Sequence, residues 1–426
     1  MTTVIMAGGK GTRIATVNSD VPKPMIPIAG KPILEYTVEM LQRQDCTDII
    51  LVVGHLGQII QDYFGDGAKW GVSISYIVEQ EPLGTAGALY YLKDRIDSDF
   101  LLINGDLICD VNIDKFYKWH RENHCTATIL THPNSHPYDS GLIVADEKGR
   151  VTGWLTKEDE RLWYRNRVNA GLHMLSPKVF AYFDTLQKVD LDRDILRRLI
   201  GEGQLYIYDS PEYVKDMGTP DRYEAVQKDL QSGRVEQRNL LRKQRAVFLD
   251  RDGTINKYVG FLNRIEDFVL LEDVSEAIRR INDSGYLAIV VTNQPVVARG
   301  EVTVGELREI HNKMETLLGQ DGAYVDDIFY CPHHPHSGYE GEVRELKIDC
   351  ACRKPKPGML LAAAAKYNID LQQSWMIGDG DNDMQAGMAA GCKAVGIGEQ
   401  ITVPGIMCYR SLKECVDAVL EDEEAL

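Results

Sequence analysis

Two carboxylates, Asp250 and Asp252, stand two residues apart in Phe-Leu-Asp-Arg-Asp-Gly-Thr-Ile-Asn, residues 248–256. They follow an apolar run, Ala246 to Leu249, that reads as a short buried strand, and they precede a Gly-Thr turn. The carboxyl ends of such strands are where open α/β sheets hold ligands. One carboxylate there can attack phosphorus and become an aspartyl-phosphate, while the other protonates the leaving oxygen and later activates water. Bringing an anionic nucleophile to an anionic phosphate calls for magnesium, with Asp250 and Asp252 among its expected ligands.

Three further stretches repeat the pattern of chemistry at a strand end. The apolar run Leu287 to Val291 leads into Thr292-Asn293-Gln294, whose threonine hydroxyl can hydrogen-bond a phosphoryl group in transfer. Arg353-Lys354-Pro355-Lys356-Pro357 supplies cations, and Trp375-Met376-Ile377-Gly378-Asp379-Gly380-Asp381-Asn382-Asp383 ends another strand with acids for a metal. Between them lie Cys331-Pro332-His333 and Cys350-Ala351-Cys352, separated by sixteen residues. Three thiols and an imidazole suit a closed, structural tetrahedral zinc site, with His334 and His336 as alternative ligands. The four motifs resemble those of the haloacid dehalogenase phosphatases. With the zinc loop and Ala298-Arg299-Gly300 they are similar to heptose 1,7-bisphosphate phosphatases and, more distantly, histidinol-phosphate phosphatases. The resemblance implies Asp250 as nucleophile, Asp252 as acid and base, Lys354 as the cation between nucleophile and phosphate, and Asp379 as a metal ligand. It also implies Asn293, Arg299 and Arg353 as substrate contacts. Gly380 departs from the heptose group, which usually has a basic residue there.

The chain opens with a short strand running into Gly8-Gly9-Lys10-Gly11-Thr12-Arg13, where glycines let backbone N–H groups approach phosphates. Pro22-Lys23-Pro24 then holds another lysine on a rigid segment. Glu81 to Ala88, Asn104-Gly105-Asp106, Asn169-Ala170-Gly171 and Val214 to Pro220 follow in order. Together these resemble the sugar-1-phosphate nucleotidylyltransferases, whose reaction is in-line attack of a sugar 1-phosphate on the α-phosphorus of a nucleoside triphosphate. The resemblance implies Asp106 and Asp216 as magnesium ligands, and Arg13 and Lys23 as neutralisers of the triphosphate. Gly8, Gly9, Gly11, Thr12, Gly84, Thr85, Asn169 and Gly171 would contact substrates, and Lys157 the sugar phosphate. Thr156-Lys157-Glu158 stands where the family reads Glu-Lys-Pro, which leaves the sugar open. Residues 52–89 are most similar to the heptose-1-phosphate guanylyltransferase branch, which implies GTP.

Positioning two such sites takes two folds. The expectation is an α/β chain with an N-terminal Rossmann-like nucleotidyltransferase domain (1–233) and a C-terminal Rossmann-like haloacid dehalogenase domain with a zinc loop (246–426). A charged linker, 234–245, would join them, since residues 228–245 hold six basic and two acidic residues. A length of 426 residues fits two or three domains. With 47 Lys+Arg against 64 Asp+Glu, the net charge of -17 argues against nucleic acid or an anionic membrane as partner. Nine cysteines without a disulfide-framework spacing, and no apolar run of membrane length, point to a cytoplasmic enzyme. Its oligomeric state stays open, a homo-oligomer included. The combined expectation is a bifunctional enzyme that removes the 7-phosphate of a heptose 1,7-bisphosphate and then transfers a nucleotidyl group to the 1-phosphate. The alternatives are the same chemistries on other sugar phosphates, or one domain serving as a non-catalytic binding module.

Overall fold

The computed structural model describes residues 1–8 and 21–424. Gly9, Lys10, Gly11, Thr12 and Arg13 of the expected phosphate loop lie outside them. The chain forms two compact units: Met1–His132 with Ile143–Trp154 and Asn169–Asn239, and Pro133–Leu142 with Leu155–Val168 and Leu240–Leu426. Among the described residues no helix is long and apolar enough to cross a membrane.

In the first unit, strand Thr2–Met6 pairs in parallel with Asp48–Val53 and Phe100–Asn104, and Ser73–Val78 extends the sheet beside Asp48–Val53. Val168–Leu175 runs antiparallel to Phe100–Asn104 on the other flank. Successive strand residues point to opposite faces. Thus Ile5, Leu51, Leu101 and Ile103 enter one apolar cluster, while Val4, Ile50, Val52 and Leu102 enter another. Both faces of the sheet are covered, which is why these strands read as unbroken apolar runs. Gly8 and Asp106 consequently stand together at the carboxyl ends of adjacent strands. The short pair Leu107–Asp110 and Tyr213–Asp216, antiparallel with Asp216 opposite Leu107, brings Asp216 to the same end.

The second unit contains a parallel sheet in the order Asp327–Cys331, Leu287–Asn293, Ala246–Leu249, Trp375–Gly378, Lys393–Ile397 and Met407–Tyr409. Asp250 and Asp379, just past their strands, and Thr292, next to last in its own, therefore stand at the carboxyl ends of three neighbouring strands. Helix Val304–Gln320 starts at a capping box formed by Thr303 and Glu306. It buries Leu307, Ile310, His311, Met314, Glu315 and Leu318, the spacing of one helix face.

The compact units, which follow packing, cross the expected segment limits. Val235 is buried in the first unit's core with Ile28 and Tyr213, and Leu240 in the second unit's core with Phe248 and Ile289. Within the segment 234–245, Val235, Arg238, Asn239, Leu240 and Gln244 are buried, whereas Glu236, Gln237, Leu241, Arg242 and Lys243 are exposed. The second unit also takes in residues 133–142 and 155–168, which sit on helix Val304–Gln320. Tyr164 N donates to Thr316 Oγ1 at 2.9 Å and Asn166 N to Glu315 Oε2 at 2.6 Å. Buried Arg167 faces Glu315 at 3.5 Å and donates to Asp326 O at 2.8 Å.

Beside this contact, Asp327 accepts from Lys366 Nζ and Tyr367 Oη, each at 2.8 Å, and faces Arg165 at 3.6 Å. Burial alone would raise its carboxyl, yet Lys366, Arg165 and Arg167 outweigh that and hold it down at about 2. A depressed carboxyl stabilises the fold above its unfolded value of about 3.9 and loses that contribution as pH falls toward 2. Asp327→Asn is expected to cost roughly 2–3 kcal/mol at pH 7 and to flatten the acid limb of stability between about pH 4 and 2, as read by urea unfolding.

Candidate active sites

At the end of Ala246–Leu249, Asp250 N donates to Ile377 O at 2.9 Å, which fixes the nucleophile candidate against the next strand. Its carboxylate takes Lys354 Nζ at 2.6 Å. The same ammonium reaches Asp383 Oδ1 at 2.5 Å and Val291 O at 2.8 Å. Lys354 is placed by a reciprocal pair: Asn293 Nδ2 donates to Lys354 O, and Lys354 N to Asn293 Oδ1, both at 3.0 Å. Asn293 thereby acts on the lysine loop. Gly253, at φ +88°, sits where an added Cβ would come 2.0 Å from Asp379 Oδ2, so the turn after Asp252 requires glycine.

Asp250, Asp379 and Asp383 offer carboxylate oxygens within 4.8 Å of one another. Burial, with Asp383 and Asp252 nearby, lifts Asp250 to about 7 against the pull of Lys354. Burial and Asp383 lift Asp379 to about 6. Burial disfavours the Lys354 ammonium, but Asp250 and Asp383 outweigh it and hold Lys354 above its ordinary value. Three carboxylates around one ammonium leave an excess of negative charge, and hard oxygen donors in that number suit a divalent cation.

The expected ligand Asp252 is outside this group. Both its oxygens are engaged by Arg251 Nη2, at 2.9 and 2.8 Å, and Oδ2 also accepts from Gln294 Nε2 at 2.8 Å. Asp383 joins instead, from the first turn of helix Asp381–Ala390. Thr292 is buried, and its hydroxyl accepts from Gln294 Nε2 at 2.8 Å. Arg299 is ion-paired to Glu301 at 2.5 Å and lies between the rings of Phe261 and Tyr339, at 4.0 and 4.4 Å.

Cys331, His333, Cys350 and Cys352 converge, as their spacing predicts. The three sulfurs are 3.2–3.4 Å apart, and His333 Nδ1 is 3.3 Å from Cys352 Sγ. None of the nine cysteines is disulfide-bonded. Tetrahedral zinc with bonds of about 2.3 Å sets sulfurs about 3.7 Å apart, so a small expansion would admit the ion. His334 and His336 are outside the group, with His334 Nδ1 3.1 Å from His336 O. The cluster is continuous with the carboxylate and lysine site, because Cys352 precedes Arg353 and Lys354, and Arg353 Nη1 donates to His333 O at 3.2 Å. Cys352→Ser is expected to lower both the zinc content and this unit's melting temperature, since the free energy of a metal bound here would be folding free energy. Metal content and thermal unfolding check it together.

In the first unit, Lys23 Nζ is ion-paired to Asp106 Oδ2. Arg222 Nη1 reaches both oxygens of Asp216 at 3.0 and 2.9 Å, and Gly218 N donates to Oδ1 at 2.7 Å. Burial opposes the Asp216 charge, yet Arg222, Gly218 and Lys23 hold its carboxyl below the ordinary value. Lys23 therefore acts electrostatically on both expected metal ligands. A Cβ on Gly8 would fall 2.5 Å from Glu79 Oε2, and one on Gly84, at φ +82°, 2.4 Å from Val189 O. Thr85 Oγ1 accepts from Leu191 N at 2.8 Å, so this hydroxyl pins the loop. Asn169 Oδ1 accepts from Gly171 N at 2.9 Å, and its Nδ2 donates to Asp192 Oδ1 at 3.2 Å. Asp192, which the sequence did not single out, is lifted to about 6 by burial and then Asp190. Lys157 is exposed in a turn of the segment 155–168, which belongs to the second unit rather than to the unit of Asp106 and Asp216.

Residues 2–233 match the model of the nucleotidyl transferase family. Residues 351–407 match the HAD-hydrolase-like model. The D-glycero-β-D-manno-heptose-1,7-bisphosphate 7-phosphatase of Yersinia pestis is 41% identical over 163 residues, covering 38% of this chain and 85% of that protein. The chain belongs to both families. It joins a nucleotidyltransferase unit to a phosphatase unit and is bifunctional. A UTP–glucose-1-phosphate uridylyltransferase of Synechocystis is 31% identical over 242 residues, 53% of this chain and 62% of that protein. Among solved structures, HddC from Yersinia pseudotuberculosis complexed with GMP-PN is 28% identical, covering 54% of this chain and 99% of that one at a TM-score of 0.47.

Proposed function

We propose that the chain removes the 7-phosphate of D-glycero-D-manno-heptose 1,7-bisphosphate and then condenses the remaining 1-phosphate with a nucleoside triphosphate, GTP in our reading, releasing pyrophosphate. The observation that carries the first step is Lys354, held between Asp250 and Asp383 beside Asp379. The ammonium keeps the nucleophile aimed and neutralises part of the incoming phosphate's charge. Asp250 attacks phosphorus, the P–O bond to the sugar breaks, and Asp252 protonates the departing oxygen. Asp252 then takes a proton from water that attacks the aspartyl-phosphate, returning Asp250 to a carboxylate and freeing inorganic phosphate. Asp250, Asp379 and Asp383 would hold Mg2+, which when bound supplies the charge neutralisation that two anions require. Cys331, His333, Cys350 and Cys352 would hold a structural Zn2+.

In the transferase unit Asp106 and Asp216 would hold Mg2+, and Lys23 with Arg222 balances their charge. That reaction is positioning and charge neutralisation and needs no protein nucleophile. We place the reaction in the cytoplasm, a placement that nine cysteines without a disulfide-framework spacing support.

The Synechocystis relative favours a second reading of the transferase, with UTP and glucose 1-phosphate. The test offers each of the four nucleoside triphosphates with the α and β anomers of heptose 1-phosphate and with glucose 1-phosphate, and measures pyrophosphate. Fastest turnover with GTP and a heptose anomer supports the proposal. Fastest turnover with UTP and glucose 1-phosphate overturns its transferase half.

A further inference from the structure

Arg251, between the two aspartates, has a side chain with no exposure at all. A guanidinium there must be fully bonded, and its partners are specific. Its Nε and Nη2 hold Asp252 Oδ1 at 3.2 and 2.9 Å, and Nη2 also reaches Asp252 Oδ2 at 2.8 Å and Gln294 Oε1 at 3.0 Å. Its Nη1 lies 3.1 Å from His311 Nε2 on helix Val304–Gln320. A guanidinium only donates, so His311 Nε2 is the acceptor and the imidazole is neutral. Burial and then Arg251 push His311 well below its ordinary value, in keeping with that tautomer. Gln294 Nε2 and Asn256 Nδ2 complete the frame on Asp252, at 2.8 and 3.0 Å.

We infer that Arg251, anchored by His311, is a positioning residue that holds the Asp252 carboxyl in the orientation from which it gives the leaving oxygen its proton. The inference rests on the reading of Asp252 as acid and base. It predicts a selective defect. A poor leaving group needs the proton when its P–O bond breaks, whereas a good one departs as an anion without it.

The test measures kcat/KM of the full-length protein, with Mg2+, on phenyl phosphate and p-nitrophenyl phosphate. Arg251→Met is expected to lose about 100-fold on phenyl phosphate but less than about fivefold on p-nitrophenyl phosphate, the pattern of lost general acid catalysis. Asp252→Asn should give the same selectivity, Arg251→Lys should recover part of it, and added guanidinium should partly rescue Arg251→Met. Because Arg251→Met removes a buried charge, His311→Phe serves as a second variant that keeps the guanidinium. It should show the same selectivity at about tenfold. Equal losses on both esters in the Arg251 and His311 variants, with Asp252→Asn still selective, would overturn the positioning role. An unselective Asp252→Asn would instead overturn the acid and base reading beneath it.

Discussion

Asp250→Asn is expected to lower phosphate release from heptose 1,7-bisphosphate by about 10,000-fold or more, because an amide cannot form the aspartyl-phosphate. Nucleotidyl transfer to a supplied heptose 1-phosphate should be unchanged, since none of its residues is touched. The variant also removes one of three carboxylates that crowd Lys354, so its folded state should be retained. The burial of Asp250 adds a pH dependence of definite sign. Burial raises Asp250 to about 7, so below that pH a proton competes with the divalent cation for this oxygen. The Mg2+ concentration for half-maximal phosphatase activity should therefore fall as pH rises from 6 to 8. A rise over that interval would mean that Asp250 is not among the ligands.

Asp106→Asn is expected to reduce nucleotidyl transfer by about 100- to 1,000-fold while leaving phosphate release intact, the loss typical of removing one electrostatic support of a transferring phosphoryl group. Lys23 would lose its ion-pair partner, so triphosphate binding should change less than turnover. The kcat and KM of pyrophosphate release, measured separately, distinguish the two. A fall confined to KM would place Asp106 in substrate binding alone.

Much of each site was legible because it lies where local pattern and chemistry coincide. Asp250, Thr292 and Asp379 follow short apolar runs, and a parallel sheet puts those run ends side by side. The Cys331, His333, Cys350 and Cys352 group was legible from residue type and spacing. What the sequence left hidden depends on side-chain direction or on distant partners. Asp383 reads as an acid in the first turn of a helix, and it is indeed bonded to Gly380 N at 3.1 Å, but only the fold turns it toward Lys354. Asp252 looked like a metal ligand, but the carboxylates that the fold gathers are those of Asp250, Asp379 and Asp383. Arg251 itself was hidden because an arginine in a polar turn usually faces water, whereas this one is enclosed by His311 and Gln294. The basic run 234–245 looked solvated for the same reason, although Val235 and Leu240 each enter a core. Nothing local in residues 155–168 signals that Asn166 and Arg167 dock on Glu315, a partner some 150 positions away.

The most direct test of the central claim, two consecutive reactions by one chain, is a one-pot time course by phosphorus NMR. The purified protein is given Mg2+, GTP and heptose 1,7-bisphosphate in each anomeric form. The account predicts that inorganic phosphate appears first, followed by pyrophosphate and a sugar nucleotide whose sugar carries no 7-phosphate. Pyrophosphate formed before any inorganic phosphate, with a sugar nucleotide still phosphorylated at position 7, would contradict it.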